Sequence, residues 1–114
     1  MPILGIVNAS KSNFRGVAGY FGGGQDGTNN LSGIDKITFP ADTKTTLSAT
    51  LTSARNLPTG MANSGVAGYI GGGVDTVLVD GIDKITFPAD TKTTLSAVLT
   101  IAKDRMAGMA DGGI

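Results

Sequence analysis

Few residues of this chain could take part in chemistry. Its 114 residues include no His, no Cys and no Glu, which excludes His-based general bases, thiol nucleophiles and zinc sites of the usual ligand types. Two basic residues, Arg55 and Lys103, and two aromatic residues, Tyr20 and Tyr69, occupy matching positions in two related stretches of sequence. The repeated Asp residues are expected in turns, where they form no acid–base pair, so we predict a protein without enzyme activity.

The four matching residues are the candidate ligand-binding residues. Arg55 and Lys103 could line a channel or face an anionic ligand; alternatively, each ties strand-end carbonyls or a neighbouring repeat together. Tyr20 and Tyr69 each precede glycines, where an aromatic ring could stack on the face of a sugar. The alternative for both tyrosines is packing in the core between repeats.

Two glycine-rich patterns resemble cofactor or metal motifs without their context. Residues 22–27 contain a formal G-x-G-x-x-G, but no helix-forming sequence follows, as dinucleotide binding would require. Calcium binding at Asp26, Asp75 or Asp80 is a second alternative, because residues 22–26 resemble part of a calcium-binding nonapeptide. That nonapeptide recurs in tandem, however, and this one does not. We therefore expect solvated loop carboxylates, no metal and no cofactor.

The balance of charges argues against nucleic acids and anionic membranes as partners. Lys and Arg total 9 and Asp and Glu total 9, so the excess of positive charge that nucleic-acid binding requires is missing. No polybasic run is present to dock on an anionic membrane. The apolar run at residues 2–7 is too short to span a bilayer and is expected to form a β-strand.

An internal repeat organises the chain. Residues 33–49, GIDKITFPADTKTTLSA, recur without change at residues 81–97, and GVAGYFGGG at residues 16–24 returns as GVAGYIGGG at residues 65–73. The loops between these blocks, at residues 25–32 and 74–80, are where the two copies differ most. The sequence therefore predicts an N-terminal strand or arm at 1–15, a first repeat at 16–64 and a second repeat at 65–114.

Each repeat is predicted to contain about four strands and no helix, since Gly or Pro interrupts every helical window. In the first repeat the predicted strands are Val17–Phe21, Lys36–Phe39, Thr45–Leu51 and, least distinctly, Leu57–Asn63. The segment Pro40-Ala41-Asp42-Thr43 has the composition of a turn.

These repeats resemble kelch-type propeller blades. The doublets after Tyr20-Phe21 and Tyr69-Ile70 resemble the glycine pair that ends a kelch strand, and residues 39–44 resemble its aromatic-turn-Thr segment. Arg55 and Lys103 fall where such blades often carry a basic residue. The usual Trp is absent, and Thr46 and Thr94 stand near its place. The resemblance implies an all-β fold with two blades of four antiparallel strands per chain.

Two blades cannot close a propeller, so the resemblance also implies assembly. We expect a homo-oligomeric ring, with six blades in a trimer favoured. Residues 104–114 look like the opening strand of a further blade, and we expect them to complete the first blade of a neighbouring chain. The competing candidate for that place is Gly5-Ile6-Val7-Asn8. A β-solenoid of stacked repeats is the alternative architecture.

The function expected from these features is that of a non-enzymatic, self-assembling structural or interaction scaffold. The N-terminal ILGIVNAS followed by such repeats is similar to small structural proteins of tailed phages, which implies a virion or tail component with other virion proteins as partners. The alternative is a glycan-binding, lectin-like propeller with one site per blade. A designed propeller fragment, with no function beyond folding and assembly, is a further alternative.

Overall fold

A computed structural model describes residues 17–63 and 65–111, and these residues form β-strands without a helix. The seven strands are β1 (Ala18–Gly22), β2 (Ile34–Thr38), β3 (Thr43–Thr46), β4 (Thr59–Asn63), β5 (Ala67–Gly71), β6 (Ile82–Thr86) and β7 (Thr91–Thr94). The all-β prediction is confirmed. The strand or arm predicted at 1–15 lies outside the described residues.

The strands form two antiparallel sheets. Sheet 1 has the order β1-β2-β3, and sheet 2 has the order β4-β5-β6-β7. Equivalent strands pair in equivalent registers: Tyr20 lies opposite Lys36, just as Tyr69 lies opposite Lys84. The identical blocks of sequence thus fold into the same three-stranded unit twice, and sheet 2 has one strand more.

That additional strand, β4, comes from the sequence of the first repeat but belongs to sheet 2. It pairs with β5 along its whole length, from Thr59 opposite Gly71 to Asn63 opposite Ala67. The chain therefore leaves sheet 1 after β3, crosses to sheet 2, and forms the edge of that sheet before entering β5. Among the described residues, β1 pairs with β2 alone and has no strand on its other side.

The strands predicted in the first repeat were correct in place and partly wrong in extent, and of the four predicted in the second repeat three form among the described residues. The strand predicted at Thr45–Leu51 is shorter and begins earlier, because pairing with β2 ends at Thr46, opposite Asp35. The turn before it lies where it was predicted. In both repeats this turn contains a cis Phe–Pro peptide bond, and Asp42 and Asp90 have φ angles of 61° and 60°. Asp tolerates this left-handed conformation better than most residues do.

The core lies where the two sheets meet. Ile34, Leu51 and Ile85 are buried, and Tyr20, Leu47, Ile70 and Phe87 pack against them. Because side chains alternate across a strand, each sheet has one face turned to the other sheet, its inner face, and one outer face. Residues 17–63 and 65–111 contain no helix long and apolar enough to cross a membrane.

Candidate functional site

The most enclosed polar group at the junction between the sheets is the ion pair of Arg55 and Asp83. Arg55 follows sheet 1, whereas Asp83 lies within β6 of sheet 2, and the two residues are 1% and 0% exposed. The guanidinium Nη2 donates to a carboxylate oxygen of Asp83 at 2.7 Å. Nη1 donates to the carbonyls of Gly72 and Gly81, each at 3.2 Å. One side chain from the first repeat thus binds three groups of the second sheet.

The Asp83 carboxylate has further donors. The Thr52 amide and hydroxyl donate to it at 2.8 and 2.6 Å, and the Thr94 hydroxyl donates at 2.9 Å. Burial by itself raises the pKa of a carboxyl group, but the bonds from Thr52 and Thr94 and the charge of Arg55 outweigh burial and hold the pKa of Asp83 below its ordinary value. The carboxylate is therefore ionised at neutral pH and forms a charge-assisted junction between the sheets.

A second cluster joins the sheets at the other end of the strands. The Tyr20 hydroxyl donates to Asp90 at 2.7 Å, and the Lys36 ammonium group donates to the other oxygen of Asp90 at 2.8 Å. The rings of Tyr20 and Phe87 are stacked, with centroids 5.0 Å apart and planes 13° apart. Burial, the bond to Asp90 and its negative charge raise the pKa of Tyr20, and the bond to Asp90 raises the pKa of Lys36. Both groups stay protonated at neutral pH.

The segment that crosses between the sheets is held by backbone contacts. Asn56 and Val74 exchange two N–H···O bonds of 2.9 Å, and the Gly24 amide donates to the carbonyl of Arg55 at 2.8 Å. Gly73 has a φ of 98°, and a Cβ there would lie 2.5 Å from the carbonyl oxygen of Asn56. Only glycine allows the crossing segment to approach the sheet this closely.

The four candidate ligand-binding residues divide into two pairs. Arg55 binds carbonyls and a carboxylate of the neighbouring sheet, and Tyr20 packs against that sheet, as in the structural alternatives to ligand binding. Lys103 and Tyr69 follow or belong to sheet 2. Lys103 is exposed, and its side chain makes no hydrogen bond or ion pair with the rest of the described chain. Tyr69 is half-buried, with the Lys84 ammonium nitrogen 5.8 Å from its ring centroid. Ligand binding by these residues stays a prediction.

The loop carboxylates are occupied by their own backbone. Asp26 accepts from the amides of Thr28 and Asn29, and Asp75 accepts from those of Thr76 and Val77. These bonds lower the pKa of both carboxyl groups. Within residues 17–63 and 65–111 no three His, Cys, Asp or Glu side chains group in a way that could hold a metal ion.

The expectation that the repeated Asp residues lie in turns was wrong for one pair. Asp35 and Asp83 lie inside β2 and β6, where each accepts from a Thr of the next strand, Thr46 or Thr94. Strand alternation would have placed Asp83 on the same face as Ile85. A carboxylate on an apolar face, together with a basic residue in the preceding repeat, is the signal that indicates a buried pair.

The chain was also compared with known proteins. No protein-family model matches it, and none of the curated proteins is similar to it in sequence.

Proposed function

We propose that the protein is a non-enzymatic, self-assembling structural scaffold of kelch-like repeats, in which chains associate head to tail. The observation that carries this proposal is the contact between the two sheets of one chain. Sheet 1 and sheet 2 are built from the same sequence, yet they meet through different faces. Each chain therefore has one outer face of each kind, and these two outer faces correspond to the two inner faces that meet within the chain.

The first support is the ion pair at the junction. The residues equivalent to Arg55 and Asp83, by the shift of 48 that relates the long repeats, are Lys103 and Asp35. Asp35 already accepts from Thr46 at 2.7 Å, as Asp83 does from Thr94, but its side chain is 48% exposed, against 0% for Asp83. Association of a second chain would bring Lys103 of one copy to Asp35 of the next.

The second support is the aromatic and charged cluster. By the same shifts, Tyr20 and Lys36 correspond to Tyr69 and Lys84, and their inner-face partners Phe87 and Asp90 correspond to Phe39 and Asp42. The charges are complementary: Lys84, on the outer face of sheet 2, lies over the Tyr69 ring and has no ion pair among the described residues, and Asp42, in the turn of sheet 1, is exposed. Phe39 is 44% exposed where its equivalent is packed against a tyrosine ring.

The third support is apolar surface. Phe21 lies on the outer face of sheet 1 and is 71% exposed. Its equivalent in sheet 2, Ile70, packs against the buried core, with Cδ1 close to the position that a Cβ on Gly22 would occupy. Covering this side chain with a second chain would remove its apolar surface from water, which favours association. Gly71, the equivalent of Gly22, lines a cavity of about 130 Å³ with Tyr69, Ile82 and Met106, and Phe21 of the next chain would pack there.

A head-to-tail contact repeats until it closes into a ring or continues as a filament. We propose a closed ring of three chains, in which each chain contributes two kelch-like blades and the ring has six. Such a ring uses both free faces of every chain and leaves only short sheet edges. A role in a virion or tail is the context that the N-terminal sequence implies, and residues 1–16 lie outside the described part.

Charge reversal tests the proposal. Lys103→Glu and Asp35→Lys each place like charges at the junction and are expected to lower the native mass to that of a monomer. The double variant Lys103→Glu/Asp35→Lys restores an opposite pair and is expected to restore the multimer. Val77→Lys, in an exposed loop, is the matched control for an added charge. A wild-type chain that is monomeric in native mass spectrometry would overturn the proposal.

A further inference from the structure

The edge of β1 is the site where the proposed assembly needs a strand. A cavity of about 710 Å³ lies along it, between β1 and the edge strand β4 of sheet 2. Its walls are mainly apolar and include Ala18, Tyr20 and Met61. In sheet 2 the equivalent strand, β5, has β4 on this side. A strand laid against β1 would occupy the position in sheet 1 that β4 occupies in sheet 2.

The chain's own path indicates which segment supplies such a strand. Residues 51–57 follow sheet 1 and are held to it by three backbone hydrogen bonds. Leu51 N–H donates to the Ser32 carbonyl, Arg55 N–H to the Leu31 carbonyl, and Gly24 N–H to the Arg55 carbonyl, at 2.9, 3.0 and 2.8 Å. After this segment the chain forms β4 on the next sheet.

Residues 99–105 follow sheet 2 and are held to it by the equivalent backbone hydrogen bonds. The amides of Leu99 and Lys103 donate to Asp80 and Val79 at 2.9 and 3.3 Å, and the Gly73 amide donates to Lys103 at 2.9 Å. Both segments end in a residue of positive φ: Leu57 at 54° and Arg105 at 51°. The segment after residue 105 therefore departs from β5 and β6 as the segment before β4 departs from sheet 1. It passes beside β4, where the Met106 carbonyl accepts from the Thr59 hydroxyl at 2.5 Å.

We propose that residues 107–111 of one chain add to β1 of a second copy as an antiparallel fourth strand. The register follows from the pairing of β4 with β5: Gly108 lies opposite Phe21, Met109 opposite Tyr20, and Asp111 opposite Ala18. This inference rests on the proposed function, because it needs chains that associate, and it names the segment that links them.

Side-chain chemistry fits this placement. Met109 is 91% exposed, and residues opposite each other in a pair of strands share a face. Met109 would then point to the same side as Tyr20, which faces sheet 2 and lines the cavity. An exposed methionine enters an apolar cavity that has room for it. Residues 108–111, Gly-Met-Ala-Asp, also match residues 60–63 of β4, Gly-Met-Ala-Asn, more closely than Gly5-Ile6-Val7-Asn8 does.

Cysteine cross-linking in the full chain tests the register, since the chain has no cysteine of its own. Directly opposed residues lie close enough for a disulfide. Ala18→Cys/Asp111→Cys is expected to give covalent multimers under mild oxidation on a denaturing gel. Asn63→Cys/Ala67→Cys, the same pair of positions within one chain, is the matched control and should give an oxidised monomer.

The outcomes separate this inference from the proposed function. A multimeric native mass without covalent multimers, or with the disulfide formed inside one chain, overturns strand addition and leaves the scaffold intact. A monomeric native mass overturns both. Should the cysteine pair prevent folding, Met109→Lys serves instead, and it is expected to weaken assembly at least tenfold, whereas Val77→Lys leaves it unchanged. Equal assembly of the two lysine variants contradicts the placement of Met109 in the cavity.

Discussion

Replacing Arg55 by Met removes the charge that joins the two sheets while keeping most of the aliphatic volume. In the wild type, Arg55 satisfies the Asp83 carboxylate and two carbonyls in a space where both side chains are essentially inaccessible to water. In the variant, the carboxylate keeps the Thr52 and Thr94 donors and the Lys92 ammonium group at 3.9 Å, but it loses the guanidinium that is buried with it. Removing one partner of a buried ion pair typically costs about 3–5 kcal/mol. We expect a loss of that order in the free energy of unfolding.

The assay is urea unfolding followed by circular dichroism at several protein concentrations. A loss inside the chain does not depend on concentration, whereas a loss of assembly does. Lys103→Met is the matched control, because it removes the equivalent charge from an exposed position. Its effect on unfolding of the dissociated chain is expected to stay below about 0.5 kcal/mol. Arg55→Lys should lie between the two, since one ammonium group cannot reproduce the fork of the guanidinium.

The dependence on pH gives an independent check of the same pair. The folded-state pKa of Asp83 is below its ordinary value of 3.8, so its stabilising contribution is complete above that pH and is lost as the pH falls through the folded-state pKa. Arg55→Met removes one cause of the lowered pKa, and acid unfolding should then begin at higher pH. A loss of less than about 1 kcal/mol in Arg55→Met, with an unchanged acid transition, would refute the reasoning.

Three further results are expected. The pKa of Tyr20 is raised above its ordinary value of 10.0, so the contribution of its hydroxyl to stability is complete below pH 10 and is lost as the pH rises through the folded-state pKa. Above pH 10, the melting temperature of Tyr20→Phe should therefore fall less than that of the wild type. Parallel curves of melting temperature against pH would contradict the bond to Asp90. Gly23→Ala should lower the free energy of unfolding in urea by about 1–3 kcal/mol, because the φ of Gly23 is 72° and a Cβ would lie 2.8 Å from a backbone oxygen. Gly33→Ala, where a Cβ would meet open space, should leave it unchanged. Equal losses in the two variants would contradict this close approach. Lys103→Arg, which gives the proposed interchain junction the same basic residue as the one within the chain, should tighten assembly about tenfold by native mass spectrometry against concentration; weaker assembly would contradict the equivalence of the two junctions.

The sequence was sufficient to place the first three strands of each repeat, because local alternation and turn composition determine them. The fourth predicted strand forms once among the described residues, as β4. Residues 33–49 show this: Ile34 and Lys36 alternate with Asp35 and Ile37, and the turn at Asp42 follows. The all-β class followed from the same signals. The repeat itself also gave the correspondence between Arg55 and Lys103, on which the proposed assembly depends.

The partners of these residues could not be read from the sequence, because they depend on how the sheets stack. Asp35 and Asp83 have identical neighbours in sequence, yet one is half-exposed and the other fully buried. The difference arises only from whether another sheet covers them. The placement of β4 likewise depends on a crossing between sheets that no local pattern encodes.

The most direct test of the central claim is the native mass of the full chain, measured by native mass spectrometry at increasing concentration. We expect one discrete multimer of three chains that persists over a range of concentration and dissociates in Lys103→Glu. A monomer at every concentration would contradict the claim that the free sheet faces bind other copies. An open-ended series of sizes would contradict a closed ring.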